Sequence, residues 1–415
     1  MTGPLPPAAG PSAQAGKWFS VVLLAVCVVF TLSLWFSVSA VVPTLKLQFG
    51  LTDDRAAWLA SSVSVGFVAG TLVSAFVNLA DRVEPRRLFM ASALVAAAAN
   101  AAILMCAPGS ASAIFLRFLT GVCMAGIYPV GMRIASTWAT RDTGLLIGIL
   151  TGAICAGSGL PHLIDAFGGL NWMLTVAMTS ILAAFAGALI NLVRLGPIHV
   201  RAAAFHPIFA MRALTEPALR LANLGYWGHK WENYAMWAWI GPFLQLSFTM
   251  HGADESTAAF QARLVTFAVF VVGAVGCLIA GLLADRFGRT LVAGAALAIS
   301  GSCAGLTGFL IGGAPWLVTT VCLIWGFALI ADSGQFSACV IELSDRAYIG
   351  TMLTVQTCIG YLITLASIHV VPTLVAWLGW GVGFAALAAG PALGIAAMIR
   401  LRGRPEAARL ASGRM

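Results

Sequence analysis

Five ionisable residues stand inside long apolar stretches of this 415-residue chain: Arg117, His229, Lys230, Glu232 and Asp332. Such groups are expensive to keep within a bilayer and usually carry function. Three of them share the segment GYWGHKWENYAMWAW, residues 225–239. On a helix, Lys230, Tyr234 and Trp237 fall on one face at i, i+4 and i+7, with His229, Asn233 and Met236 on the adjacent stripe. A cation flanked by aromatic surfaces suits a small organic anion, one with a ring among them. Glu232 is only two positions from Lys230 and points elsewhere, so the two need not neutralise each other. A carboxylate at this depth is a candidate proton carrier. Asp332, Gln335 and Cys339 recur at i, i+3 and i+7 and lead on to Glu342. Asp332 and Gln335 could bind substrate or carry a proton. The competing arrangement is interhelical pairing, Lys230 with Asp332 or Glu232 with Arg117, that only holds helices together. Trp35, between Ser33 and Ser37, offers stacking or plain core packing.

The elements that must position these groups are membrane helices. Hydrophobic residues make up 60% of the chain and charged residues only 9%, against about 25% charged in a soluble domain. Disordered chains are poor in apolar residues, which excludes that class too. Apolar runs of bilayer length predict spans near 18–45, 55–79, 88–107, 112–136, 144–163 and 172–193, then 219–247, 260–283, 290–312, 316–341, 348–371 and 378–400. The expected fold is an all-α integral membrane protein with twelve spans. Its parts are a disordered tail (1–17), a six-helix bundle (18–194), a linker (195–217), a second six-helix bundle (218–401) and a tail (402–415). Of 23 Lys and Arg residues, 18 fall in the loops and tails on the side of the termini and three on the other side. This bias predicts both termini in the cytoplasm of a multi-pass inner-membrane protein. The net charge of +8 is therefore a topological asymmetry, and nucleic acid is not an expected partner.

Depth follows from the helical rise of about 1.5 Å per residue. Lys230 and Glu232 lie roughly 16 and 20 Å from the inner side, Arg117 about 8 Å below the outer face, and Asp332 roughly 24 Å from it. The five groups are thus staggered along a path. His162, Asp165 and His369 sit near outer span ends and read as edge residues. Nine cysteines, an odd number with no CxxC pair, read as packing residues. Neither metal-ligand spacing nor a nucleotide-binding loop is present. Accordingly no cofactor, metal or enzymatic activity is expected.

An internal repeat narrows the class. The loop after the eighth span reads Gly281-Leu-Leu-Ala-Asp285-Arg286-Phe-Gly-Arg289, and the loop after the second reads Asn78-Leu-Ala-Asp81-Arg82-Val-Glu-Pro-Arg86-Arg87. The two aspartates are separated by about half the chain, the footprint of a duplicated transporter. The loop resembles the signature of the major facilitator superfamily, and the resemblance extends over essentially the whole chain. The first copy departs from it, with Val77 in place of Gly and Glu84-Pro85 interrupting the basic end. Arg117 followed by Gly121 and Gly126 resembles the family's fourth-helix motif. Gly148, Gly152, Gly157, Gly159 and Pro161 form a loose version of its fifth-helix motif, which lacks the central Gly-Pro pair of exporters. The resemblance implies that spans 1, 4, 7 and 10 line a central cavity, that Arg117 takes part in proton coupling, for which Glu232 and Asp332 are candidates from their own placement, and that Asp81, Arg82, Gly281, Asp285, Arg286 and Arg289 form a conformational latch. It implies a secondary active transporter, acting as a monomer, that moves a small organic solute by alternating access with the proton as coupling ion. Lys230, Tyr234, Trp237, His229, Asn233, Gln335 and Trp35 are the substrate-binding candidates. The alternatives are a proton-driven multidrug efflux pump and, from another class, a membrane sensor or assembly partner without transport.

Overall fold

The computed structural model describes residues 11–139, 143–169, 171–198, 205–345 and 348–413. All regular structure among them is helical. Ten stretches are long and apolar enough to cross a bilayer. The first six are α1 (Gly16–Phe36), α2 (Asp53–Phe76), α3 (Pro85–Met105), α4 (Ala111–Ser136), α5 (Leu145–Gly168) and α6 (Trp172–Leu192). The 34-residue helix α7 (Pro217–Met250) follows; its polar segment keeps it out of the ten. Then come α8 (Glu255–Phe287), α9 (Arg289–Leu310) and α10 (Pro315–Leu343). The last stretch, Ile349–Arg402, is 54 residues long. As one helix it would run roughly 80 Å, more than twice the hydrocarbon thickness. Gly379, at φ 80° and ψ 173°, breaks it, giving α11 (349–378) and α12 (380–402).

Polar side chains close the helix ends where the apolar runs stop. Thr52, Ser110 and Asp254 each accept the backbone amide three residues on, starting α2, α4 and α8. Bonds from Ser256 and Thr257 hold the exposed Asp254 carboxyl well below the usual carboxylate range. Inside the bundle three helices are interrupted. The α1 helix stops at Phe36 and continues as a short turn and the helix Val42–Phe49. A turn at 125–127 divides α4 into Ala111–Met124 and Tyr128–Ser136. The break in α10 falls at Asp332, between Pro315–Ala331 and Ser333–Leu343.

Close packing pairs α5 with α8, α2 with α4 and α11, α7 with α11 and α12, and α8 with α10. Small residues allow it. A Cβ on Gly66 would lie 2.0 Å from the carbonyl oxygen of Phe118, so α2 and α4 approach backbone to backbone. On α5, Gly148, Gly152 and Gly159 face Leu278, Ala274 and Phe270 of α8.

The segments expected as tails are partly ordered. The helical backbone begins at Pro11. After Arg402 a 3-10 helix, Pro405–Gly413, buries Ala407 and Leu410 in the apolar cluster that also holds Leu343 and Met398. Residues 1–10 and 414–415, Arg141, Arg201 and Arg346, and the side chain of Asp81 lie outside the described residues. The face of the bundle carrying residues 205–217 is termed the linker face below.

Candidate functional site

Lys230 sits on the long helix α7 and is buried. Its ammonium lies 4.7 Å from the ring centres of Tyr234 and Tyr361 and 5.4 Å from that of Tyr226. No carboxylate of the described residues is within 4.0 Å of it, so the competing arrangement, a pairing of Lys230 with Asp332, is absent as a direct contact. Three ring faces stabilise a desolvated cation only partly, by about 2 kcal/mol or more for a good contact. The rest is available to an anion.

The cage extends upward. Trp35 of α1 packs at 5.5 Å from Tyr234, 5.4 Å from Tyr361 and 5.5 Å from Phe67 of α2. Phe36 stacks on Tyr234 at 5.9 Å. Trp237 lies 5.6 Å from Phe36 and 4.6 Å from Phe270 of α8. Thus Lys230, Tyr234, Trp237 and Trp35, singled out from the sequence, do meet in one place. Tyr226, a turn before Lys230, was legible from helical spacing. Tyr361 and Phe270 carry no local signal, because one aromatic residue in an apolar span looks like any other.

His229 and Asn233 form a second group beside the first. His229 Nδ1 lies 2.8 Å from Asp332 Oδ1, and Asn233 Nδ2 lies 3.1 Å from His229 Nε2. Asp332 occupies the break of α10 and is an electrostatic neighbour of Lys230. Its Oδ2, together with Asn233 Oδ1 and Trp237 Nε1, has no hydrogen-bond partner among the described residues.

Two charged candidates are elsewhere. Glu232 turns away from the cage and accepts bonds from Ser300 of α9, at 2.9 Å, and the Trp325 indole of α10, at 2.6 Å. A Glu232–Arg117 pair does not form. The guanidinium of Arg117 is fully buried and spends its donors on the Leu34, Trp35 and Leu59 carbonyls, Ser37 Oγ and Asn100 Oδ1. Two of those carbonyls end the first part of α1 and lack an intrahelical partner. Arg117 thus secures the α1 break beside Trp35.

At the linker face the α8–α9 loop is held as an ionic cluster. Arg289 donates to both carboxylate oxygens of Glu342, at 2.7–3.0 Å, and to Gln335 Oε1 at 3.1 Å, with Asp285 3.9 Å away. Gln335 therefore belongs to this cluster and not to the cage. Ala411 of the C-terminal segment donates its amide to Glu342 Oε2 at 2.9 Å. Arg286 lies over the Phe287 ring, Gly281 faces open space, and Arg82 ends the short helix Leu79–Arg82.

The opposite face holds residues that looked like mere edges. Arg263 of α8 forms an ion pair with Asp165 of α5, both buried, and donates to Thr44 Oγ1 at 3.1 Å. Thr175 donates to Asp165 at 3.2 Å. His369 of α11 lies 3.2 Å from Ser61 of α2 and packs edge-on against Trp58. Both contacts join a helix before the linker to one after it. Among the described residues no group of three His, Cys, Asp or Glu side chains could hold a metal ion.

Ten stretches long and apolar enough to cross a bilayer define, as a class, a multi-pass membrane protein. The chain belongs to the major facilitator superfamily, whose family model matches residues 23–368. It is also similar to a protein of Streptomyces coelicolor described as a "probable transporter", at 36% identity over 91 residues. That alignment covers 22% of this chain and 20% of the relative's length.

Proposed function

We propose that the chain is a twelve-span secondary transporter of a small organic anion in the cytoplasmic membrane, with α1–α6 and α7–α12 as two six-helix halves. The polar helix α7 and the two parts of the final 54-residue stretch supply the spans beyond the nine remaining ones. The linker face, richest in arginine, is the cytoplasmic one, and both termini lie there. One observation carries the substrate reading: a buried lysine walled by three tyrosines from α7 and α11, with no carboxylate among the described residues in contact. A cationic drug would meet like charge at this point, which disfavours multidrug efflux. Asp332 with His229 is the proton-coupling centre, because it adjoins Lys230 and keeps an unpartnered oxygen. Glu232, tied to α9 and α10, has a packing role.

Proteoliposomes with an imposed pH gradient test this. Labelled organic anions should accumulate, a protonophore should collapse the gradient they form, and Lys230→Ala should abolish both uptake and binding. Gradient-driven movement of tetraphenylphosphonium in place of any anion would overturn the reading.

A further inference from the structure

The cage has a second donor besides Lys230. The indole Nε1 of Trp237 is buried and lacks a hydrogen-bond partner among the described residues. Buried donors are rarely left so, and each exception calls for an explanation. Trp237 follows Lys230 by seven residues on α7, so the two lie about 10 Å apart along the helix. Between them stands Tyr234, 4.7 Å from the Lys230 ammonium and 5.4 Å from the Trp237 ring. Trp35 and Phe36 pack on the same tyrosine, and Tyr361 touches it through a 2.9 Å bridge between the two hydroxyls.

Resting on the anion reading above, we propose that the substrate is an aromatic monoanion with a hydrogen-bond acceptor besides its carboxylate. The carboxylate meets Lys230, the ring replaces ring–ring contacts around Tyr234, and the second acceptor receives the Trp237 N–H. Taking about 2.9 Å for each hydrogen bond off that rise leaves roughly 4–5 Å between the two acceptors, within the reach of substituents on one benzene ring. A single cation, with Asp332 as an acidic neighbour, selects one negative charge over two. A sugar would need more polar partners than these ring faces offer, and an aliphatic acid would leave the aromatic walls and the indole N–H unused.

The test is direct binding of benzoate, 4-hydroxybenzoate and lactate to the full-length protein in detergent, by titration calorimetry. 4-Hydroxybenzoate should bind about three- to ten-fold tighter than benzoate, the worth of one added hydrogen bond. Trp237→Phe keeps a ring but removes the N–H; it should erase that difference, with an unchanged thermal unfolding curve reporting an intact fold. Equal binding of the two benzoates to the wild type would overturn the proposal. So would equal weakening of both by Trp237→Phe. Lactate binding as tightly as benzoate, and lost in Lys230→Met, would overturn the aromatic inference while leaving the anion reading intact. Binding of tetraphenylphosphonium with no anion bound would overturn both.

Discussion

His229 Nδ1 lies 2.8 Å from Asp332 Oδ1, joining the polar helix α7 to the break in α10 beside the caged Lys230. Both residues are buried, and the second carboxylate oxygen has no hydrogen-bond partner among the described residues. Such a pair can take up or release a proton where the substrate's charge is felt. Asp332→Asn should therefore abolish accumulation driven by a pH gradient but spare exchange of labelled for unlabelled substrate. Equal loss of the two activities would place Asp332 in binding or folding instead.

Glu232 should behave differently. Its carboxylate is already satisfied by Ser300 and Trp325. Glu232→Gln should keep gradient-driven uptake within about twofold of wild type while lowering thermal stability. Hydrogen bonds to a charged group are worth about 1.5–3 kcal/mol each, more than their neutral counterparts. Uptake assays and unfolding followed in detergent distinguish the outcomes, and loss of coupling without loss of stability would contradict this assignment.

Arg117 holds the end of α1 by its carbonyls, and few residues could replace it. Arg117→Met strands the Trp35 oxygen, at about 1–3 kcal/mol, and leaves the Leu34 oxygen with the Ser37 hydroxyl alone. Lysine offers a single nitrogen and cannot reach all of these acceptors at once. Both variants should unfold at lower temperature, and both should lose substrate affinity as Trp35 shifts. A stable Arg117→Met protein with normal affinity but no proton coupling would show that the guanidinium acts in coupling.

The Asp165–Arg263 pair ties α5 to α8 at the face away from the linker. Removing one partner of a buried pair costs about 3–5 kcal/mol, because the other charge is left uncompensated. Asp165→Asn should bias the protein towards opening at this face. A cysteine placed at buried Ser39, next to this contact, should then react faster with a membrane-impermeant maleimide. An unchanged rate would mean that the pair does not close this side.

The C-terminal segment is part of the packed structure. Leu410 is 1% exposed, and the adjacent Ala411 amide bonds Glu342 within the Arg289 cluster. Leu410→Ala should destabilise by about 2–5 kcal/mol, as for other buried leucines. A thermal unfolding curve indistinguishable from wild type would show that the segment is dispensable.

Much of this was legible in the residues themselves. Charge is so scarce here that each ionisable group inside an apolar run stands out, and the GLLADRFGR loop carries the family resemblance unaided. Helical spacing alone put Lys230, Tyr234 and Trp237 on one face. What spacing could not decide was partnership. Glu232 and Lys230 are two residues apart, yet one reaches Ser300 and Trp325 and the other Tyr361. Gln335 lies three residues from Asp332, yet it bonds Arg289 while Asp332 meets His229. Asp165 looked like an edge residue until α5 packed on α8 and brought Arg263 to it. Hydropathy and helical period are local properties, and they determine which groups enter the membrane and on which face of their own helix. Partners depend on how each helix is rotated, where it breaks and how closely glycines let its neighbours approach, and only the packed tertiary structure decides those.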